Sequence, residues 1–248
     1  MIVGVIQARA NSTRLPGKVM MPILGKPILW HIYNRLKNCK LLKLVIISTG
    51  DLEKNSEITE FASNNSIPFF VGSETDLIDR LYKTAMNFQA SAIVRITGDC
   101  PLVDPKIVDE LVSEFVKNND KYDIVTNCQT RTFPHGLDVE IYSLKCLTKL
   151  WNEIKEPELR EWFPFYVNKN QSLFQILNIP NSKDLSNYRW TIDYPEDYEF
   201  VKQIYHKLYR DDSIFSMGDI IQLLQKQPEL MKINSKYVGM HNVGSPQI

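Results

Sequence analysis

A short apolar run followed by a longer amphipathic one recurs four times in the first 126 residues, and few folds accept that rhythm. The apolar runs are residues 2–7, 44–48, 68–71, 92–96 and 123–126. Amphipathic runs lie between them at 28–38, 54–64, 77–88 and 106–117. A short run without alternation reads as a strand buried on both faces. A longer run with one apolar stripe reads as a helix packed on the sheet. Pro27 opens the first helix, where its fixed φ and missing N–H are tolerated. The alternation predicts an α/β chain with a parallel sheet covered on both faces.

After residue 127 the rhythm changes. Residues 136–142 alternate like a half-exposed strand, and 143–151 read as a helix with Ser143 as N-cap. Pro164 predicts a break in a helix over 158–168, and 172–178 reads as a strand. A helix over 195–210 begins at Pro195, with Glu196 and Asp197 at its positive end. A last helix covers 217–227, and the residues from about Asn234 read as a loose tail. We expect one domain over 1–233, with a subdomain inserted at about 128–180, and a tail over 234–248.

The 248 residues are 44% hydrophobic, enough to bury a full core. The 29 basic and 29 acidic residues balance, so charge calls for neither nucleic acid nor a membrane surface. Cys39, Cys100, Cys128 and Cys146 are far apart with no CxxC pair, which predicts free thiols and no zinc site. The apolar run at the N-terminus is too short for a signal peptide or a span, and no basic n-region precedes it. A soluble cytoplasmic protein is expected.

Three segments carry chemistry. The first strand runs into Ala8-Arg9-Ala10-Asn11-Ser12-Thr13-Arg14-Leu15-Pro16-Gly17-Lys18, a loop of small residues with three cations and no acid. Basic loop residues are often merely solvated. At a buried strand's exit, however, small residues let backbone N–H groups approach an anion, and positive charge there suits phosphate. GxxxxGK[ST] and GxGxxG are both absent, so neither a Walker loop nor a dinucleotide fingerprint is present. The second segment, Arg95-Ile-Thr97-Gly98-Asp99-Cys100, puts Asp99 at the fourth strand's carboxyl end, the ligand edge of an open sheet. It also reads as an ordinary Gly-Asp turn. In the third, Tyr188-Arg189-Trp-Thr-Ile-Asp193-Tyr-Pro195, Asp193 reads either as an N-cap or as a second carboxylate sharing Mg²⁺ with Asp99.

Together these segments resemble the sugar-acid cytidylyltransferases, which make CMP-activated 3-deoxy-octulosonate and sialic-type acids. Gln7 to Lys18 resembles their signature loop, Thr97 to Leu102 their strand-end motif, and Ile192 to Asp197 their late motif. The nearest resemblance is to the subfamily named for a spore-coat polysaccharide biosynthesis protein, matched also by Phe133-Pro-His-Gly-Leu-Asp-Val-Glu140 and Gly72-Ser-Glu-Thr-Asp-Leu-Ile-Asp-Arg80. It covers roughly residues 2 to 210. Where the subfamily often reads Arg-Glu-His, this chain has Arg160-Glu161-Trp162, so part of the acceptor pocket is expected to be reshaped there.

The resemblance implies a Rossmann-like, GT-A-like nucleotidyltransferase fold. Its sheet is mixed and mainly parallel, with a small inserted dimerisation and acceptor subdomain. It implies transfer of CMP from CTP to a small acidic acceptor, with Mg²⁺ on Asp99 and Asp193 and Arg14, Lys18 and Asp99 as catalytic residues. Ala8, Arg9, Ala10, Asn11, Ser12, Arg14, Lys18, Glu74, Asp76, Arg80, Thr97 and Gly98 form the implied nucleotide site. Asp76 and Arg80, at i and i+4 on a helix, also read as a mutual pair. His135, Asp138 and Glu140 form the implied acceptor site, with Arg131, Arg160 or Arg189 for an acceptor carboxylate. His135 also reads as an exposed turn residue. His31, His206 and His241 receive no role. The aromatic group Trp162, Phe163, Phe165 and Tyr166 reads as core or interface, and in the resembling enzymes such a segment joins a homodimer. A nucleotide-sugar glycosyltransferase is the competing reading, but Gly98-Asp99-Cys100 lacks the second aspartate of its Asp-x-Asp metal motif. A phosphorylated or phosphonate acid is an alternative acceptor, and a non-catalytic nucleotide sensor an alternative role.

Overall fold

In chain order the strands and helices of the computed structural model begin with β1 (Ile2–Gln7), β2 (Pro22–Ile23), β3 (Lys26–Pro27), α1 (Ile28–Leu36), β4 (Val45–Thr49) and α2 (Ser56–Asn64). They continue with β5 (Phe69–Val71), α3 (Leu77–Asn87), β6 (Ala92–Thr97), α4 (Pro105–Lys117), β7 (Ile124–Thr126) and β8 (Glu140–Ser143). They end with α5 (Leu144–Glu153), α6 (Pro157–Glu161), α7 (Phe163–Lys169), β9 (Ile176–Asn178), α8 (Pro195–Leu208) and α9 (Met217–Lys226). The structure describes residues 1–118 and 121–240. Seven strands pair in the order β5-β4-β1-β6-β8-β7-β9, and β2 and β3 form a separate hairpin. β8 alone runs antiparallel to its neighbours in the large sheet. The mixed, mainly parallel sheet is therefore as expected.

Period-two alternation sorts the strand side chains between two cores. Ile6, Ile47, Val94 and Ile141 face α1, α2, α4, α8 and α9. Val3, Val5, Ile46, Ile93 and Tyr142 face α3, α5 and α7. β1 lies mid-sheet, with β4 and β5 to one side and β6 to the other. That reversal of strand order opens a crevice at the carboxyl ends of β1 and β6. Gly98 lets the two strand ends close up: a Cβ there would lie 3.0 Å from the Gln7 carbonyl and 3.2 Å from the Ala8 Cβ.

The second half departs from expectation in its details. The region of the expected insertion, about 128–180, contributes β8 and β9 to the main sheet. Within the alternating run 136–142 the strand begins only at Glu140, because the Asn127 side chain takes the Leu137 carbonyl and the Val139 N–H, both at 2.9 Å, in place of a strand partner. Ser143 caps α5 as predicted, its Oγ accepting from the Cys146 N–H at 3.0 Å. The helix expected over 158–168 is two helices broken at Trp162, with Pro164 in the first turn of α7, where its lost N–H costs nothing. The strand expected over 172–178 is confined to 176–178, since Gln171–Leu173 is a 3₁₀ turn. The tail is not loose through Met240. Asn234 is buried, and Tyr237 stacks on Tyr194 with ring centroids 3.9 Å apart. His241 and the rest of the tail lie outside the described residues.

Gly136 holds the segment before β8 against Trp190 and Thr191, where an added Cβ would sit 2.6 Å from the Thr191 nitrogen. Gly136→Ala combines positive φ with that overlap, so it should lower unfolding free energy by more than about 1 kcal/mol. Urea denaturation of the two proteins measures this.

Candidate active site

Lys18 is the centre of the crevice. Gly17, in the left-handed region at φ 68°, turns the first loop into the short 3₁₀ helix that carries Lys18. The loop's shape is set by its own backbone, with the N–H groups of Ser12 and Gly17 both donating to the Ala10 carbonyl at 3.0 Å. Asn55, buried under the loop, accepts from the Ala10 N–H at 2.8 Å. The Lys18 ammonium donates to Asp99 Oδ2 at 2.8 Å, Asp193 Oδ1 at 2.9 Å and the Ile192 carbonyl at 2.7 Å. Arg14 reaches the same Asp193 oxygen at 2.5 Å. Thr97 donates to the other Asp99 oxygen at 2.6 Å.

The electrostatics follow from this packing. Burial opposes the Asp99 charge, but Lys18 and the hydrogen bonds from Lys18, Thr97 and Cys100 outweigh it and hold the carboxyl below its ordinary range. Burial and Asp99 both work against ionised Asp193, and Lys18 and Arg14 still pull it below the usual range. Lys18 is raised: burial works against its charge, and the two carboxylates overcome that. Asp193 does not cap α8. Tyr194 is the N-cap, and Asp197 takes the backbone N–H groups of Asp193 and Tyr194. Two carboxylates thus converge on one cation, the Lys18 ammonium. Among the described residues no group of three or more His, Cys, Asp or Glu could hold a metal. A hard divalent cation with two protein carboxylates, completed by substrate oxygens and water, fits this donor set.

The crevice opens into a cleft of about 510 Å³. Of the residues singled out in the sequence, Arg9, Arg14, Thr97, Asp99, His135, Asp138, Glu140 and Asp193 line it. Ala8, Ala10, Ser12 and Gly98 shape the adjoining loop and strand end, and Asn11 is exposed on the loop. Other expected residues are placed differently. Glu74 is buried behind the loop, accepting from Asn55 at 2.8 Å and from the Asp51 N–H at 3.1 Å. Asp76 caps α3 and pairs with Arg160 at 2.6 Å, not with Arg80. Arg80 is wholly buried and donates to the Ser73 carbonyl at 2.7 Å. Burial and neighbouring Arg9 push its guanidinium down to about 10. Arg160 is turned away from the cleft, donating to Asp76 and to the Trp151 and Ile154 carbonyls at 3.0 and 2.6 Å. Arg189 is also buried, with its side chain on Asp193 and Asp197.

Sequence reasoning missed Arg95, Gln7 and Tyr194 in the cleft wall. Arg95 Nε donates to Gln7 Oε1 at 2.8 Å, and its terminal nitrogen pairs with Glu140. The signal was present: Arg95 and Gln7 open two of the quoted motifs. Arg131 forks onto Asp138, with one bond at 3.1 Å. Arg9 donates to the Glu74 carbonyl and to Glu161, both at 2.6 Å. Trp162, Pro164 and Phe165 form an apolar wall.

Strand order, crevice and a carboxylate pair beside a cationic loop define a nucleotidyltransferase. The chain belongs to the cytidylyltransferase family, whose model matches residues 3–229. It is similar to a cytidylyltransferase structure from Leptospira borgpetersenii, at 38% identity and TM-score 0.88, covering 93% of this chain and 96% of that one. It is 29% identical to the spore coat polysaccharide biosynthesis protein SpsF of Bacillus subtilis, over 92% of this chain and 95% of that protein. A 3-deoxy-manno-octulosonate cytidylyltransferase of Lawsonia intracellularis is 35% identical over 56% of this chain and 57% of its own. A CTP-complexed CMP:2-keto-3-deoxy-manno-octonic acid synthetase shares the fold, with TM-score 0.64 at 18% identity over 83% of this chain and 98% of that one.

Asp99 and Asp193 are both depressed in the folded state, so their stabilising effect is full above the unfolded carboxylate value and is lost as pH falls through the folded values. Stability should therefore drop as pH falls below about 4. Asp99→Asn should start less stable at pH 7 and lose less on acidification. Urea midpoints of both proteins between neutral and acid pH check the difference in slope.

Proposed function

We propose that this enzyme transfers CMP from CTP to a sugar acid or similar small acidic acceptor and releases pyrophosphate. The observation that carries this reading is the convergence of Asp99 and Asp193 on the Lys18 ammonium, with Arg14 on the same Asp193 oxygen. Nucleotidyl transfer demands positioning and charge neutralisation. Arg9, Arg14, Lys18 and the loop amides hold the triphosphate and stabilise the departing pyrophosphate. An acceptor oxygen forms a bond to the α-phosphorus as the bond to the bridging oxygen breaks. Asp99 and Asp193 would hold Mg²⁺, which when bound would supply further neutralisation of phosphate charge.

The acceptor lies against Arg131, His135, Asp138 and Glu140, with Arg95 behind, and faces the wall of Trp162 and Phe165. Its role in making a surface polysaccharide or glycoconjugate precursor is supported by the likeness to SpsF. Glycosyl transfer is disfavoured by the strand-end motif, where Thr97 and Pro101, two residues either side of Asp99, leave no second aspartate in register. We further propose a homodimer through the α6–α7 segment and the 3₁₀ turn after it, where Trp162 and Leu173 are exposed. No helix among the described residues is long and apolar enough to cross a membrane, and we place the enzyme in the cytoplasm beside its nucleotide.

Pyrophosphate release should appear on mixing the enzyme with Mg²⁺, CTP and a member of a sugar-acid panel, with CTP preferred over the other three nucleotides. Asp99→Asn should lower kcat on the order of 100-fold or more while remaining folded. Equal turnover in that variant would sink the mechanism. Sedimentation should give twice the chain mass, and a monomer at all concentrations would remove the dimer.

A further inference from the structure

Arg189 has no donor left for a substrate. Its side chain is 2% exposed, and a guanidinium has five N–H groups in a fixed plane. Nε donates to Asp197 Oδ1 at 2.9 Å. One terminal nitrogen donates to Asp193 Oδ2 at 3.0 Å and Asp197 Oδ2 at 2.9 Å. The other donates to His135 Nδ1 and to the Met240 carbonyl, both at 3.3 Å. All five are used.

These partners belong to opposite sides of the cleft. Asp193 gives Oδ2 to Arg189 and turns Oδ1 to Lys18 and Arg14. His135 stands on the acceptor side. An arginine can only donate, so His135 Nδ1 accepts and the ring proton sits on Nε2, 3.9 Å from Asp138 Oδ2. One guanidinium thereby orients a carboxylate of the nucleotide half and an imidazole of the acceptor half.

Arg189 is itself held. Asp197 is fully buried and grips it through both oxygens. Asn234, 3% exposed, closes the cluster by donating to Asp197 Oδ1 at 2.9 Å and to the Arg189 carbonyl at 3.0 Å. Asn234 lies beyond the matched residues 3–229 of the family model. A buried ion pair adds little net stability over apolar side chains of the same volume. What a bidentate, plane-to-plane pair supplies is fixed geometry.

We propose that Arg189 is a positioning residue that sets the orientation of Asp193 and the tautomer of His135 together, and that the C-terminal segment through Asn234 locks it in place. The inference rests on the reading of Asp193 as a carboxylate that holds a divalent cation. Tying Oδ2 back leaves Oδ1 facing Lys18 and Arg14, on the side where Asp99 stands. Lysine at 189 would keep the charge, but a point donor cannot serve Asp193, Asp197 and His135 at once.

The test uses the full chain with saturating CTP and Mn²⁺ as the probe cation, read by electron paramagnetic resonance. Loss of a residue that orients a metal ligand raises the metal dissociation constant by about 10- to 100-fold, and Arg189→Lys should fall in that range. Asn234→Ala should show a smaller rise in the same direction. CTP affinity without metal should be unchanged in both, and circular dichroism confirms that each is folded. Unchanged Mn²⁺ affinity in folded Arg189→Lys, or in Asn234→Ala, overturns the proposal. If Arg189→Lys does not fold, Asn234→Ala decides alone, because it leaves every side-chain donor of Arg189 paired. If the unaltered protein binds CTP but no Mn²⁺, the metal reading of Asp193 falls, and this inference with it. That failure is separate from one seen only in the variants.

Discussion

The Lys18 ammonium ties together three distant segments, donating to Asp99 after β6, 81 residues on, and to Asp193 before α8, 175 residues on. Each partner alone would be a poor thing to bury. A lone carboxylate in this crevice pays a desolvation cost, and a lone ammonium does too. With three charges and the Ile192 carbonyl arranged around one point, each is hydrogen-bonded, and each stays ionised despite burial. The packing beneath serves this point. Gly98 lets the ends of β1 and β6 approach, and Asn55 supports the loop that delivers Lys18.

The rest of the cleft repeats the principle. Arg95 is balanced by Glu140, Arg131 by Asp138 and Arg9 by Glu161. A wall of paired charges offers donors and acceptors in fixed directions without a large net field. Trp162 and Phe165 add apolar surface to the cleft lining. The cleft therefore holds its ions against each other and does not present a positive hole.

Legibility in the sequence depended on how local each determinant was. Strand and helix positions through residue 126 could be read from period alone, because a strand buried on both faces and a helix on a sheet leave different apolar patterns. The loop, Asp99 and Asp193 could be read as candidates because each stands at an element boundary. Arg160 and Arg189 could not be assigned. An arginine near an expected acceptor site looks the same in sequence whether it faces the cleft or is buried on Asp76 or Asp197. Asn234 gave no signal at all. Nothing in the residues around it shows that its amide will find Asp197 across the fold.

Sequence by itself determined the class of fold, the phosphate-suited loop and the two aspartates of the site, because those follow from hydrophobic period and from residue type at strand ends. Tertiary structure decided which charges meet. It turned Arg189 from a substrate contact into a buried clamp, moved Arg160 out of the cleft, brought Arg95 and Gln7 into it, and packed residues 234–240 against the site. The physical reason is that ion pairing and burial depend on distances across the fold. Such distances are set when the sheet closes, and no short stretch of chain contains them.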